Sequence, residues 1–310
     1  MESMIVTHVR ALVQLLLIAI CIIFCGTAAA QESSTLERIR KSGVLRVAYG
    51  ASAPFSYQAD DGTVAGYSID LCAALAEQLR QALQLPKLRT EYIQRTPSNR
   101  VQMLNDGQAD IECASSSNTP DRMKVATFAP PHFISQTRFV SLAKNNIRTV
   151  EDLRGKSVSV VLGTVNVADI LKVSREKKLN LVSLPLDTVQ GAFDLVSSGR
   201  ASAFAMDDIL LRTMVAATGH STDYVISTEA ITEPTPYGFM THVDDREFSE
   251  LVATLLRKIY ASPQMPEIYA RWFLRPITSA GYCICLPMSD ELKVAMGIAT
   301  TPAAGQEAPK

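Results

Sequence analysis

An excess of basic charge is the first thing this chain lacks. Thirty Lys and Arg against 31 Asp and Glu leave a formal net charge of −1, so there is no electrostatic footprint for nucleic acid. Histidine is scarce as well. Beyond residue 30 only His132, His220 and His242 remain, scattered along the chain. That spacing offers no metal-ligand cluster and no Ser-His-Asp set. Carboxylates paired in a catalytic arrangement are also missing, and no motif calls for a cofactor, so none is expected. After residue 30 there is no long apolar run of the kind a membrane-spanning helix requires.

The one long apolar run lies at the start. Arg10 precedes Ala11 to Phe24, interrupted only by Gln14, and Ala28-Ala29-Ala30 follows. This is the pattern of a secretory signal peptide, residues 1–30, with Gln31 as the mature start and an exported protein as the consequence. A retained anchor would need about 20 apolar residues. A lipid attachment at Cys25 would place Phe24 where a small residue is favoured.

About 280 residues remain, 47% of the whole chain being apolar, enough for one large domain or two lobes. Four cysteines lie in this part. Cys72 and Cys113 read as small buried residues, one on a helix and one at a strand end. Cys283-Ile-Cys285 is too closely spaced for an easy internal disulfide. An oxidising compartment permits bridges between distant pairs, but the spacing does not choose a connectivity.

Strand-like and helix-like patterns alternate, which points to an α/β fold. Val44 to Tyr49, Leu88 to Ile93 and Ile111 to Cys113 read as strands, with a helix over Tyr67 to Leu85 and a short one over Asn99 to Asn105. A second unit repeats the layout: strands over Ser157 to Leu162 and Ala201 to Met206, helices around Val167 to Val173, Thr188 to Ser198 and Ile209 to Ala217. Tyr237 to Thr241 reads as one more strand. Strong amphipathic helices follow at Phe248 to Ile259 and Ile268 to Phe273, and the Ala/Pro/Gly-rich tail from Thr300 is expected to be disordered.

Asp110 to Arg122 is the most informative stretch. It reads as a strand that ends in Ser115-Ser116-Ser117 and then starts a helix, with Thr119 as N-cap, Pro120 at the first position and Arg122 in the first turn. Hydroxyls, free N–H groups and a guanidinium fork suit the grip of a small carboxylate. An ordinary polar loop with a cap is the plainer reading of the same residues.

Several stretches in order carry a resemblance. They are Pro54-Phe55-Ser56-Tyr57, Gly66-Tyr67-Ser68-Ile69-Asp70, Ser98-Asn99-Arg100, Asp110-Ile111-Glu112-Cys113, Arg122, Asp152-Leu153-Arg154-Gly155-Lys156, Gly163-Thr164, Ser198-Gly199-Arg200 and Ala205-Met206-Asp207-Asp208. Together they resemble the extracytoplasmic amino-acid-binding proteins of ABC importers (solute-binding protein family 3 type), on the side of the glutamate/aspartate-binding branch. The resemblance implies a two-lobed periplasmic-binding-protein fold of type II, closing by a hinge. Lobe 1 would comprise residues 31–138 plus 236–310 and lobe 2 residues 139–235. Phe139-Val140-Ser141 and Tyr237-Gly238-Phe239 would be the crossovers.

By the same resemblance Arg122 would pair with the α-carboxylate of a free amino acid, helped by Ser117, with Ser115 at the α-carbon end and Thr164 reaching in from lobe 2. Asp207 would take the α-ammonium, or else cap the helix that follows it. Arg100 would face a second carboxylate, or else be a solvated arginine at a helix start. Phe55 and Tyr67 would pack on the ligand's aliphatic part or belong to the core. Three departures stand out from the acidic-binding branch. Tyr49-Gly50 falls where that branch has an early arginine, Pro97 replaces a serine, and Thr188-Val189 replaces a histidine. The ligand range is therefore open to neutral or amide side chains. The implied partners are a free amino acid and an ABC permease of the inner membrane, with the protein periplasmic, monomeric, free of nucleic acid and not an enzyme. A dehydratase-like enzyme on the same fold and an amino-acid sensor feeding a receptor are the alternatives.

Overall fold

A computed structural model of the chain describes residues 34–277 and 281–298. The segment 1–30, expected to be a signal peptide, and the tail from Thr300, expected to be disordered, lie outside the described residues. No helix among the described residues is long and apolar enough to cross a membrane.

The described residues open with α1 (Thr35–Ser42), capped by Ser34, whose hydroxyl accepts from the Glu37 N–H, and ended by Gly43 in the left-handed region. Then come β1 (Val44–Tyr49), the hairpin β2 (Tyr57–Gln58) and β3 (Val64–Ala65), and α2 (Tyr67–Ala82). β4 (Arg89–Gln94), α3 (Arg100–Asn105), β5 (Ile111–Glu112) and β6 (Thr127–Phe128) complete the first unit. β7 (Phe133–Ser135) leads into β8 (Thr137–Leu142), β9 (Ser157–Val161), α4 (Val165–Glu176), β10 (Val182–Leu186), α5 (Val189–Ser197), β11 (Ala203–Asp207), α6 (Asp208–Ala217) and β12 (Tyr224–Ile226). The chain returns through β13 (Thr235–Tyr237) and β14 (Met240–Thr241) to α7 (Arg246–Tyr260), α8 (Gln264–Phe273) and α9 (Asp290–Met296).

Two five-stranded sheets result, in the orders β4-β1-β5-β14-β6 and β10-β9-β11-β8-β12. They share one plan. β1 runs parallel to β4 and β5, and β9 runs parallel to β10 and β11. An antiparallel strand then joins each, β14 beside β5 and β8 beside β11. The central strands are continuous apolar runs because helices cover both faces. The fold is thus α/β with two sheet-containing lobes.

Both passages between the sheets run through a two-stranded ribbon, β7 antiparallel to β13, with Ser135 opposite Thr235 and Phe133 opposite Tyr237. This corrects the position expected for the first crossover. Phe139, Val140 and Ser141 pair with β11 and β12 inside the second sheet. Tyr237 lies in the ribbon, and the strand expected over Tyr237 to Thr241 is broken at Gly238, where a Cβ would stand 2.8 Å from the Ala129 carbonyl oxygen.

An aromatic cluster holds the ribbon against the first sheet's helices. Phe133 stacks on Phe273 at 5.1 Å, and Phe55 meets Phe133 edge-on at 5.0 Å and Tyr237 at 5.3 Å. Two disulfides are formed. Cys72–Cys113 ties α2 to the strand end after β5, with Cα atoms 6.2 Å apart. Cys283–Cys285 closes a bridge across a single intervening residue, contrary to the expectation drawn from their spacing. Cys285 adopts a positive φ of 53°, which folds the two side chains onto one side.

His132 is buried inside this cluster. Its Nε2 is 3.2 Å from the Ser68 hydroxyl, its Nδ1 has no partner among the described residues, and its ring lies 4.6 Å from Phe239. Burial pushes its pKa down to about 3. The unfolded chain takes up this proton near pH 6.5, whereas the folded chain resists it until about pH 3, so stability is lost on acidification through that window. His132→Phe should therefore gain stability relative to the parent by roughly 1.4 kcal/mol per pH unit below pH 6. Denaturant melts at pH 7, 5.5 and 4.5 measure this. A difference independent of pH would contradict it.

Candidate functional site

The C-terminal tips of the parallel strands of both sheets point toward one cavity, the usual ligand edge of an open α/β sheet. Its volume is about 20 Å³, little more than one water needs, so a ligand must spread its walls. Arg100, Ser115, Ser117 and Arg122 line it from the first unit, and Thr164 and Asp207 from the second. Six of the seven residues expected at the site therefore share one wall. The seventh, Phe55, does not. It is fully buried among Tyr67, Phe133, Tyr237 and Phe273, because the ribbon needs an apolar support there. Tyr67 is likewise core, its hydroxyl donating to the His132 carbonyl at 2.8 Å.

The segment around Arg122 also differs from expectation. The helix predicted after Thr119 is a single 3₁₀ turn, Arg122–Lys124. The residue at the head of this turn is Asp121, without a side-chain cap bond, rather than Thr119, whose hydroxyl accepts only a long 3.4 Å bond from the Arg122 N–H. Only two residues separate the turn from β6, too few to propagate a helix. The helix mouth at the cavity comes instead from α4, whose first residues Val165 and Asn166 line the wall. Its leading N–H groups have no intrahelical partner and carry the positive end of the dipole.

Two guanidiniums bridge the units. Arg122 donates to the Ser117 carbonyl at 3.0 Å and, across the cleft, to the Gly163 carbonyl at 3.1 Å. Arg100 donates to the Ser116 hydroxyl at 2.9 Å and to the same Gly163 carbonyl at 2.5 Å. Gly163 holds φ +77°, and a Cβ there would lie 2.6 Å from the Pro97 backbone, so only glycine permits this approach. Burial, with Arg122 and Arg95 nearby, depresses the Arg100 pKa strongly. Burial also lowers that of Arg122, against the pull of Glu112 and Asp207.

Asp207, 5% exposed at the tip of β11, accepts from Asn166 at 2.7 Å and from the Tyr237 hydroxyl at 2.5 Å. Desolvation raises its pKa, while these two hydrogen bonds and Arg122 hold it back. Its side chain makes no cap bond to α6. Thr164 donates its hydroxyl to the Val161 carbonyl at 2.7 Å, which turns the loop toward the cavity.

Sequence reasoning missed Arg95, Asn166 and Tyr237. Arg95 is 5% exposed, lines the cavity and donates from Nε at 2.9 Å and Nη2 at 2.5 Å to one oxygen of fully buried Glu112. Ser116 donates to that same oxygen at 2.9 Å. Asn166 follows Gly163-Thr164 by two residues and was within reach of a reading that placed the helix start there. Arg95, at the end of β4, gave no signal except its neighbour across the sheet, Gly50.

Residues 45–275 match the bacterial extracellular solute-binding proteins, family 3. The chain belongs to that family. It is 33% identical over 285 residues to the L-glutamate/L-aspartate-binding protein of Pseudomonas aeruginosa, covering 90% of this chain and 92% of that one. The glutamate/aspartate import solute-binding protein of Escherichia coli K12 is 32% identical over 267 residues, with 86% and 88% covered. Among solved structures, an ancestral amino acid-binding protein described as a precursor of cyclohexadienyl dehydratase superposes with a TM-score of 0.65 at 27% identity, over 77% of this chain and 99% of that one.

In this solute-binding protein the Arg95–Glu112 pair is sealed from water, so removing one partner strands the other. Glu112→Ala should destabilise the fold by about 3–5 kcal/mol. Urea denaturation measures this, and an unchanged midpoint would contradict the buried pairing.

Proposed function

We propose that the protein captures a free L-amino acid with an acidic side chain, of the glutamate/aspartate type, and hands it to an ABC permease after the lobes close on it. One observation carries the reading. The cavity wall and the groups bonded to it hold three guanidiniums, Arg95, Arg100 and Arg122, against two carboxylates, Glu112 and Asp207. One positive charge is left over among side chains of which all but Arg122 are buried. An amino-acid head is a zwitterion and cancels nothing, whereas a second carboxylate cancels the surplus. The named relatives in Pseudomonas aeruginosa and Escherichia coli support the same ligand class.

The roles follow from position. Arg122, the Ser117 region and the mouth of α4 receive the α-carboxylate, with Thr164 beside it and Ser115 at the α-carbon. Asp207 takes the α-ammonium, and Arg100 meets the side-chain carboxylate. Micromolar binding needs about 8 kcal/mol, and charge-assisted hydrogen bonds of about 1.5–3 kcal/mol each reach it with a few contacts. The lobes, residues 31–138 plus 236–310 and 139–235, pivot on the ribbon β7–β13, and the closed form is the state a permease recognises. Export to the periplasm by the N-terminal segment and action as a monomer complete the reading. Binding without catalysis is favoured because Glu112, the one carboxyl at the strand tip of the first sheet, is committed to Arg95 and Ser116.

Calorimetry with L-glutamate is the test. Arg122→Ala should lose binding by about a hundredfold or more, since both a fork and a buried charge go. Wild-type affinity in that variant overturns the assignment. Affinity in the parent should also fall on acidification. The ammonium binds ionised Asp207, whose pKa is raised, so protonation competes at pH values above the usual carboxylate range.

A further inference from the structure

We propose that Arg95 is a specificity-determining residue, and that Gly50 exists to make room for its guanidinium at the cavity. The inference rests on the acidic amino-acid reading above and deepens it: Arg95 and Arg100 together receive the ligand's side-chain carboxylate.

The register of β1 and β4 sets the placement. Tyr49 pairs with Gln94, and the Arg95 N–H donates to the Tyr49 carbonyl at 2.9 Å, so Arg95 follows the strand beside Gly50. A Cβ on Gly50 would stand 2.9 Å from Arg95 Cζ, 3.0 Å from Nη1 and 3.1 Å from Nη2. Gly50 does not adopt a left-handed φ, so its backbone suits any residue and its missing side chain serves space alone.

The guanidinium is only partly used. Nε and Nη2 both serve Glu112 Oε1, while Nη1 donates to none of the described residues. Arg100 joins the same chain through Ser116, whose hydroxyl accepts from Arg100 and donates to Glu112. Glu112 thus fixes Arg95, and Ser116 fixes Arg100, leaving two held cations side by side at the cavity. A planar carboxylate fits two such donors, and an amide, which carries no charge, does not exchange for it without loss.

Calorimetry with L-glutamate, L-aspartate and L-glutamine on the mature protein separates the outcomes. In Gly50→Ala the added methyl meets the far end of a flexible side chain and displaces the guanidinium without straining the backbone. Its affinity for glutamate should fall about tenfold or more while that for glutamine moves little, the loss of one charge-assisted hydrogen bond. The double variant Arg95→Gln with Glu112→Gln removes cation and counter-charge together, so no ion is stranded. The surplus cation of Arg100 and Arg122 against Asp207 remains, so it should still favour glutamate over glutamine, but by a ratio about tenfold smaller than the parent's. Glutamate-to-glutamine ratios equal to the parent's in both variants overturn the role of Arg95 alone. A parent protein that binds no acidic amino acid overturns the ligand class, and this inference with it.

Discussion

Five charged side chains meet at the cavity, four of them buried and Arg122 partly so, and they do not cancel. Arg95 is paired with Glu112, but Arg100 and Arg122 donate only to neutral groups among the described residues: the Ser116 hydroxyl, the Ser117 carbonyl and the Gly163 carbonyl. A carbonyl dipole is a weak substitute for an anion. Stripping the buried Arg100 guanidinium of water costs several kcal/mol unless a negative partner arrives, and the partly buried Arg122 adds a smaller cost. The surplus disfavours the closed state until a suitably charged guest neutralises it, which is how a small molecule can drive lobe closure.

The fold sets those charges face to face. Each sheet presents parallel strand tips to the same cavity, and each tip is followed by a small-residue loop: Ser115-Ser116-Ser117 after β5, Gly163-Thr164 after β9. Small residues let the backbones approach, and Gly163 permits the nearest contact of all. The ribbon β7–β13 carries both passages between the sheets, and its aromatic packing anchors it to the first sheet while Tyr237 reaches Asp207 of the second. The ribbon is thus joined to the binding wall at Asp207, and again where Ser117 bridges Tyr237 and the Asn118 N–H donates to the Pro236 carbonyl at 2.7 Å.

Much of this was legible in the residues. The strands 44–49, 111–112, 157–161 and 203–207 are apolar runs with clear stops, and Arg100, Ser115, Ser117, Arg122, Thr164 and Asp207 sit where strand tips and helix starts place them. What was not legible depended on tertiary geometry. The edge strand β10 alternates too weakly to stand out, and β8 looked like a crossover because its pairing partners lie more than 60 residues away. The stretch Thr119-Pro120 carries helix-start chemistry, yet the turn ends at once because β6 follows. Phe55 was drawn to the ligand by its motif, but an aromatic ring beside a polar cavity is as easily claimed by the core behind it. Arg95 escaped notice because its meaning lies in the strand next door, in the side chain that Gly50 does not have.

Ligand charge is the quantity on which all of this turns, and a thermal-shift series on the mature protein against each common amino acid reads it directly. The account predicts that the acidic amino acids raise the melting temperature most, with amides weaker and cationic side chains inert. A largest shift from arginine or lysine, or equal shifts from acidic and aliphatic amino acids, would contradict it.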